Sequence, residues 1–252
     1  LIAYKGKIST KDFNIGNLFK IENLGKLTFN GEANGDYRIK SQKISGLFKG
    51  EIAKIEAHGY EYKNIHLDGY YNDKMFDGMV NMNDSNLQFT FKGKADVSKE
   101  MPEFDFNLQL DKALPANLNL FDNFPQSEMA FNMKARFSGN KLDNLQGIII
   151  VDDGYYKNNN GVLGLNGMQL ISIPKQSAME LAFNSDYFDV RIEGNYQFQD
   201  LVYSVKKSLN KFVPVLKLET PPNFRANIFD YRINFKNLDD ITHVIAPGLI
   251  VE

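Results

Sequence analysis

The side chains that most often bind metals or act as nucleophiles are scarce in this sequence. The 252 residues include no cysteine and only three histidines, His58, His66 and His243. Without cysteine there can be no disulfide, no thiol nucleophile and no thiolate metal ligand. Histidines that share a metal ion are usually close together on one helix or hairpin, whereas these three stand singly. We therefore interpret them as surface histidines of strands or loops.

The richest set of oxygen ligands lies in "VDDGYYKNNNG", residues 151–161, which could suggest calcium. The segment lacks the alternating acidic positions and the distal bidentate glutamate of a calcium-binding loop. Asp152-Asp153-Gly154 and Asn158-Asn159-Asn160-Gly161 are typical of tight turns, so we predict hairpin turns and no metal site.

Catalytic motifs are equally sparse. The sequence has no Gly-x-Ser-x-Gly elbow, no phosphate-binding glycine loop and no dinucleotide fingerprint. Acidic residues are plentiful, but a sequence alone does not show whether two of them form a glycosidase pair. We predict that the protein is not an enzyme and uses no cofactor.

Composition narrows the remaining classes. Lys and Arg number 29 against 31 Asp and Glu, and this near balance disfavours nucleic-acid binding. A hydrophobic content of 43% is enough to bury a sizeable core. The longest dense apolar run, "GIIIV" at 147–151, is far shorter than the roughly 20 residues of a membrane span. The chain opens on "LIAYKGKIS", already in strand rhythm and without Met, which suggests a segment of a longer protein.

Any functional site must be positioned by β-strands, because alternation of apolar and polar residues recurs along most of the chain. In "LQFTFKGKADV", residues 87–97, the odd positions are apolar up to Val97 apart from Gly93, and the even positions are polar. Turn signals such as Asn72-Asp73 and Asn83-Asp84-Ser85-Asn86 separate the strands at hairpin distances. These patterns predict a mainly β fold built as a long antiparallel meander.

Few helices are expected. Leu201, Val205, Leu209 and Phe212 predict one amphipathic helix over 200–213, ended by Pro214. Short helical turns are predicted at 11–20 and 114–124. We expect residues 1–252 to form a single continuous β segment of a larger protein, with a module junction near 111–126.

The apolar parity has two interpretations that the residues alone leave open. One is the packed core of a sandwich or barrel. The other is an open apolar groove, favoured because Gly69, Gly78, Gly93 and Gly194 continue the apolar parity where a packed core would prefer bulk. The 20 Phe and 8 Met residues also suit flexible apolar ligands.

The sequence resembles the TamB branch of the AsmA-like proteins, in versions typical of Bacteroidetes. The longest similar stretch is "ISGLFKGEIAKIEAHGYEYKNIHLDGYYNDKMFDGMVNMNDSNLQFTFKGKADVSK" (44–99), a string of short strands that close on glycine. "PEFDFNLQLDKALPANLNLF" (102–121) is similar to the family's strand-then-helical-turn unit. The other similar stretches are "ENLGKLTFNGEANG" (22–35), "GIIIVDDGYYKNNNGVLGLNGMQLIS" (147–172), "SDYFDVRIEGNYQFQDLVYSVKKSLNKFVP" (185–214) and "FDYRINFKNLDDITHVIAPGL" (229–249).

The resemblance implies a sheet curled into an open groove, a β-taco, that reaches across the periplasm from an inner-membrane anchor outside this segment. It implies phospholipid movement along the groove, support of outer-membrane biogenesis, and an outer-membrane barrel partner of the Omp85 type whose docking region lies elsewhere. The residues expected to line the groove are Ile65, Leu67, Phe76, Val80, Met82, Leu87, Phe89, Phe91, Phe131, Met133, Phe137, Phe188, Val190 and Ile192.

Two rival functions stand beside the lipid groove. A scaffold for outer-membrane protein assembly or secretion would bind client strands at its sheet edges by β-augmentation and use the apolar face as a packed core. A carbohydrate-binding or adhesive β-domain would need exposed aromatic side chains, which Tyr60, Tyr62, Tyr70 and Tyr155 could supply if they cluster.

Overall fold

The computed structural model describes residues 1–120, 124–175, 178–197, 203–204 and 228–245. Its strands are β1 (Ile2–Asn14), β2 (Leu24–Arg38), β3 (Lys43–Ala57), β4 (Tyr60–Asn72), β5 (Met75–Asn83), β6 (Leu87–Asp96), β7 (Glu103–Ala113), β8 (Glu128–Ser138), β9 (Gln146–Asn158), β10 (Gly161–Gly164), β11 (Met168–Lys175), β12 (Ala178–Asn184), β13 (Phe188–Asn195) and β14 (Ile228–Phe235).

All fourteen strands belong to one antiparallel sheet that does not close on itself. Neighbours in sequence are neighbours in the sheet from β1 to β9, so the predicted meander is confirmed. The one irregularity follows β9, where β10 pairs with residues 155–158 and β11 pairs with residues 147–151 of the same strand. β7 and β8 pair directly, so the sheet continues across the segment 111–126.

Helices are short and few in the described part of the chain: α1 (Ile15–Phe19) and α2 (Leu238–Ile245). Neither is long and apolar enough to cross a membrane. The segment predicted at 11–20 is strand as far as Asn14, whose side chain caps α1 by accepting a hydrogen bond from Asn17 N at 2.9 Å. Residues 115–119 form a turn that contains one helical hydrogen bond, from Leu118 N to Leu114 O at 3.2 Å, in agreement with the helical turn predicted there. The helix predicted over 200–213 lies outside the described residues, except for Tyr203 and Ser204, which are helical.

A line of bulges crosses the sheet. Register shifts occur within β1, β3, β7 and β9, and Asp12, Asn64 and Asp153 at or beside these shifts have a positive φ. Aspartate and asparagine tolerate the left-handed backbone conformation better than other non-glycine residues, which suits them to bulges. The turn predicted at Asp152-Asp153-Gly154 is therefore wrong, because these residues form a bulge inside β9. The turn predicted at 158–161 is confirmed.

Neighbouring strands approach each other closely at glycines on the apolar side of the sheet. A methyl group added to Gly35 would lie 2.0 Å from the carbonyl oxygen of Ser45 on β3, and one added to Gly78 would lie 2.5 Å from that of Asp68 on β4. The backbone of the neighbouring strand therefore leaves no room for a side chain at these positions of the apolar face. Such crowding on one face is expected of a sheet curled into a groove with that face inside.

At one set of strand ends, which we call the capped edge, the turns and helix α2 form two buried clusters. The turn after β7 places Leu118, which has no exposed surface, against Leu110 and Ala113. Helix α2 places Val244 against Tyr156 of β9 and its neighbours. The strands end on the opposite side in the connections 39–42, 73–74, 97–102 and 139–145, and we call this side the open edge. Both buried clusters in the described chain lie at the capped edge.

Candidate functional site

Strand register brings the expected groove residues onto one face of the sheet. Directly opposed pairs include Leu67 with Val80, Val80 with Phe91, and Met82 with Phe89. All of the fourteen residues share this apolar face, namely Ile65, Leu67, Phe76, Val80, Met82, Leu87, Phe89, Phe91, Phe131, Met133, Phe137, Phe188, Val190 and Ile192. Ile65, Met82 and Ile192 are buried, and the others keep part of their surface exposed.

The face is uncharged over a long distance. Several rows of register partners cross it, and one of them runs through twelve strands from β2 to β14 without an acidic or basic residue. From β2 to β14 this row consists of Ala33, Phe48, Gly69, Gly78, Gly93, Phe106, Ala135, Ile149, Leu170, Phe183, Val190 and Ile233. Twelve strands spaced by about 4.8 Å span on the order of 50–55 Å. The surface therefore resembles a track more than a single pocket.

Phenylalanine rings form a ladder in the middle of this face. Phe76 lies 5.9 Å from Phe48 and 6.5 Å from Phe91, measured between ring centroids. Phe91 lies 5.1 Å from Phe106, which in turn lies 6.3 Å from Phe137. Because each step crosses to a nearby strand, the ladder runs along the axis of the curled sheet.

The ladder includes rings that the sequence analysis did not assign to the groove. Phe48, Phe104 and Phe106 share the face with Phe91, and Phe104 stacks on Phe137 at 4.8 Å. Their alternation with polar neighbours is visible in the sequence. Only register shows that they contact the other rings.

The glycines on this face have a different role from the one the sequence suggested. A methyl group at Gly31 or Gly50 would lie 2.3 Å from the ring of Phe29, and one at Gly93 would lie 2.4 Å from Phe106. Glycine therefore provides space for a neighbouring phenylalanine ring and for the closely approaching backbone. Of the four glycines that the sequence analysis singled out, Gly69 and Gly78 lie beside the ring of Phe76, whereas Gly93 and Gly194 lie against the backbone and Cβ atoms of the neighbouring strand.

Some of the expected lining residues also belong to the capping clusters. Leu87, Phe89 and Phe131 pack around Leu118, and Phe188 packs against the cluster of α2. Near the capped edge, the apolar face is thus partly a packed core. Phe76, Phe91 and Phe137 belong to neither cluster and are the better candidates for ligand contact.

A buried polar group fastens the capped edge. Asp84 accepts hydrogen bonds from the Tyr60 hydroxyl at 2.5 Å, the Lys63 backbone at 3.1 Å and the Asn86 backbone at 2.8 Å. Burial, followed by the hydrogen bond to Asp84, raises the pKa of Tyr60. These bonds tie the start of β4 to the turn before β6.

A cavity of about 640 Å³ lies at the open edge. Phe104, Phe137 and Gly147 supply its apolar wall, and Met75 lies at one side. This volume is within the range of pockets that hold small ligands. Its charged lining residues are mostly ion-paired, as in Arg136 with Asp105 at 2.9 Å and Lys94 with Asp77 at 3.3 Å.

The opposite face carries the charges. Lys49 pairs with Asp68 at 3.0 Å, and Glu180 pairs with Lys175 at 2.6 Å and also with Arg191. Hydrogen bonds from Lys175 and then Arg191 lower the pKa of Glu180. This face suits water, whereas the apolar face suits hydrocarbon.

The alternative sites find little geometric support among the described residues. His66 lies on the opposite face near Glu51, His58 occupies a turn and His243 lies in α2, and no described group of three or more histidine and acidic side chains could hold a metal. Tyr60 and Tyr62 contact each other at 4.8 Å, but Tyr70 and Tyr155 lie on the opposite face. The four tyrosines therefore do not form one aromatic platform.

The chain was compared with family models, with curated proteins and with solved structures. None of the three comparisons gave a match.

Proposed function

We propose that the chain is a non-enzymatic, lipid-carrying β-groove of the TamB and AsmA-like type. The observation that supports this most directly is the uncharged row that crosses twelve strands and carries the phenylalanine ladder. On this proposal, phospholipid acyl chains lie on the apolar face and the opposite face meets water. Phe76, Phe91 and Phe137 make the central contacts with the lipid.

The energetics suit movement along the face. Each acyl CH₂ group moved from water to an apolar surface gains about 0.8 kcal/mol, so leaving the groove for water costs a two-chain lipid tens of kcal/mol. Sliding from one position to the next exchanges one apolar contact for a similar one. A continuous face of this kind therefore holds a lipid against loss to water and still lets it move.

The cellular setting follows from the family resemblance. We propose that the segment works in the periplasm, as part of a protein anchored in the inner membrane, and that it carries phospholipid between the inner and outer membranes. An outer-membrane barrel of the Omp85 type is the proposed partner, and outer-membrane biogenesis is the proposed process.

Photo-crosslinking in cells tests the proposal. A photoreactive phenylalanine analogue is placed at Phe91, which lies in the ladder away from the capping clusters. The matched control places it at Lys92, which is exposed on the opposite face. We expect phospholipid adducts at position 91 and none at position 92, read by mass spectrometry of the purified protein. A folded protein without adducts at 91, or with equal adducts at both positions, would contradict the proposal.

A second function is favoured by the position of β1 as the first strand of the sheet. Strand β1 is 13 residues long and, among the described strands, pairs only with β2. Its other side presents backbone groups that could accept a client strand by β-augmentation. Lys5 and Lys7 lie on the charged face of β1, opposite to the apolar face. An added strand with acidic residues at the facing positions would therefore pair best.

This scaffold function has its own test. A synthetic peptide that alternates apolar and acidic residues is expected to slow amide hydrogen exchange within residues 3–11. A peptide of equal length that alternates apolar and basic residues serves as the control. Equal protection by both peptides, or by neither, would argue against strand addition at β1.

A further inference from the structure

Two hairpin turns meet at the open edge. The turn between β2 and β3 and the turn between β4 and β5 are joined by an ion pair between Lys43 and Asp73 and by a hydrogen bond from Asp73 N to Ile44 O at 3.0 Å. Register continues to this point, with Ser45 opposite Asn72. We call residues 37–44 and 71–75 the basic corner.

The basic corner carries an excess of positive charge. It contains Arg38, Lys40, Lys43 and Lys74 and a single carboxylate, that of Asp73, which leaves a formal charge of +3. Lys43 is occupied by Asp73. Arg38, Lys40 and Lys74 are exposed and have no ion-pair partner among the described residues.

Several cations elsewhere along the open edge are ion-paired, whereas Lys141 has no ion-pair partner among the described residues. Arg136 pairs with Asp105 at 2.9 Å, and Lys99 pairs with Glu103 at 2.5 Å. The capped edge carries the opposite sign, because Asp186, Asp239 and Asp240 lie there. The basic corner therefore brings three unpaired cations together on the rim of the apolar face, where Lys141 stands singly.

Apolar side chains accompany these charges. Ile39 at the turn is 57% exposed, and Ile44 on the apolar face is 42% exposed. Tyr71 opposes Phe76, the second ring of the ladder. Met75, directly after Lys74, lines the cavity at the open edge. An amphiphile could thus place its chains on the apolar face and its charged group against the cations without leaving the rim.

We propose that the basic corner binds the phosphate of an anionic phospholipid whose acyl chains lie on the neighbouring apolar face. This inference rests on the proposed lipid-carrying function and adds a headgroup preference to it. The charge complementarity selects an anionic headgroup over a zwitterionic one, because the choline or ethanolamine cation of a zwitterionic lipid would be repelled by the same side chains.

Direct binding of short-chain lipids to the purified chain tests the preference. Dioctanoyl phosphatidylglycerol and dioctanoyl phosphatidylcholine have equal acyl chains and differ in headgroup charge. Roughly tenfold tighter binding of phosphatidylglycerol is expected at low salt, with the ratio falling as sodium chloride is raised. In the variant Lys40→Gln/Lys74→Gln, the ratio is expected to fall toward one while the affinity for phosphatidylcholine is unchanged.

A matched variant controls for net charge. Lys92→Gln/Lys134→Gln removes two exposed cations from the opposite face and is expected to keep the wild-type ratio. Glycerol phosphate, which has the anionic group without acyl chains, is expected to compete weakly. Equally strong competition by glycerol phosphate would identify a simple anion site and overturn the proposal.

The remaining outcomes separate the two proposals. Equal binding of both lipids by the wild-type chain would overturn the headgroup preference and leave the lipid-carrying function in place. Binding of neither lipid would overturn both.

Discussion

The capped edge and the open edge differ in what their side chains contact. At the capped edge, the turn that carries Leu118 and helix α2 bury apolar residues from several strands. At the open edge, Phe104 and Phe137 stack on each other beside a cavity, and nearby turns carry unpaired cations. The comparison suggests that one edge maintains the fold while the other remains available to a ligand.

The physical reason lies in how an open sheet is stabilised. A single sheet that is curled but not closed lacks a second layer over its apolar face, so local clusters must bury the residues at its margins. Buried apolar volume at the capped edge supplies stability. The open edge can then keep rings partly exposed without loss of the fold.

The largest expected effect comes from Leu118→Ala. The side chain is fully buried, so its truncation should lower the free energy of unfolding by about 2–5 kcal/mol. Leu120→Ala is the matched control, since Leu120 is 60% exposed and its loss should change the free energy by less than about 0.5 kcal/mol. Urea denaturation of the two variants measures the difference. Similar losses in both variants would show that the turn is not a structural cap.

A smaller effect is expected where β4 and β5 approach each other closely on the apolar face. In Gly78→Ala, the added methyl group would lie 2.5 Å from the Asp68 carbonyl oxygen, which should cost about 1–3 kcal/mol of stability. Gly6→Ala is the control, because nothing lies within 4 Å of the position that the methyl group would take. If thermal denaturation gave equal midpoints for both variants, the close approach of β4 and β5 would be in doubt.

The smallest effect is a dependence on alkaline pH. The pKa of Tyr60 is raised by burial and by its hydrogen bond to Asp84, so the folded state holds the hydroxyl proton more tightly than the unfolded state. This contribution is fully present below about pH 10, the ordinary tyrosine value, and is lost as pH rises through the raised pKa.

The variant Tyr60→Phe isolates this dependence. Between pH 9 and pH 11.5, its stability should fall less steeply than that of the wild-type chain in urea titrations. Other buried tyrosines such as Tyr187 keep part of the slope, because burial raises the pKa of Tyr187 as well. Identical slopes for variant and wild type would argue against a buried Tyr60 hydroxyl.

Much of the fold could be predicted from alternation. The apolar residues of "LQFTFKGKAD" lie on one face as expected, and the turns at Asp73 and Asn160 lie where polar dipeptides predicted them. Errors occurred where a turn signal had another use. Asp153 adopts a left-handed conformation inside β9, and the same residue type would have suited a turn equally well.

The sequence predicted which residues share the apolar face, but it did not predict which of them contact each other. Phe89 and Phe91 have the same pattern in the sequence, yet Phe89 packs at the capping cluster and Phe91 belongs to the ladder. Nothing within a single strand distinguishes them. The difference arises from the turn at 114–120, which covers one end of β6 and not its middle.

The sequence by itself determined the strands, their apolar parity and the absence of thiol chemistry, because these depend on residue type and on a period of two. Only the tertiary structure decided which strands are opposed, where bulges shift the parity, and which edge is capped. The positive φ of Asn64 shows why, since Tyr62 packs around Leu118 together with Phe89, on the face of Ile65, although Tyr62 and Ile65 have opposite parity in the sequence. Register joins residues far apart in the chain, and it is fixed by the combined packing of neighbouring strands.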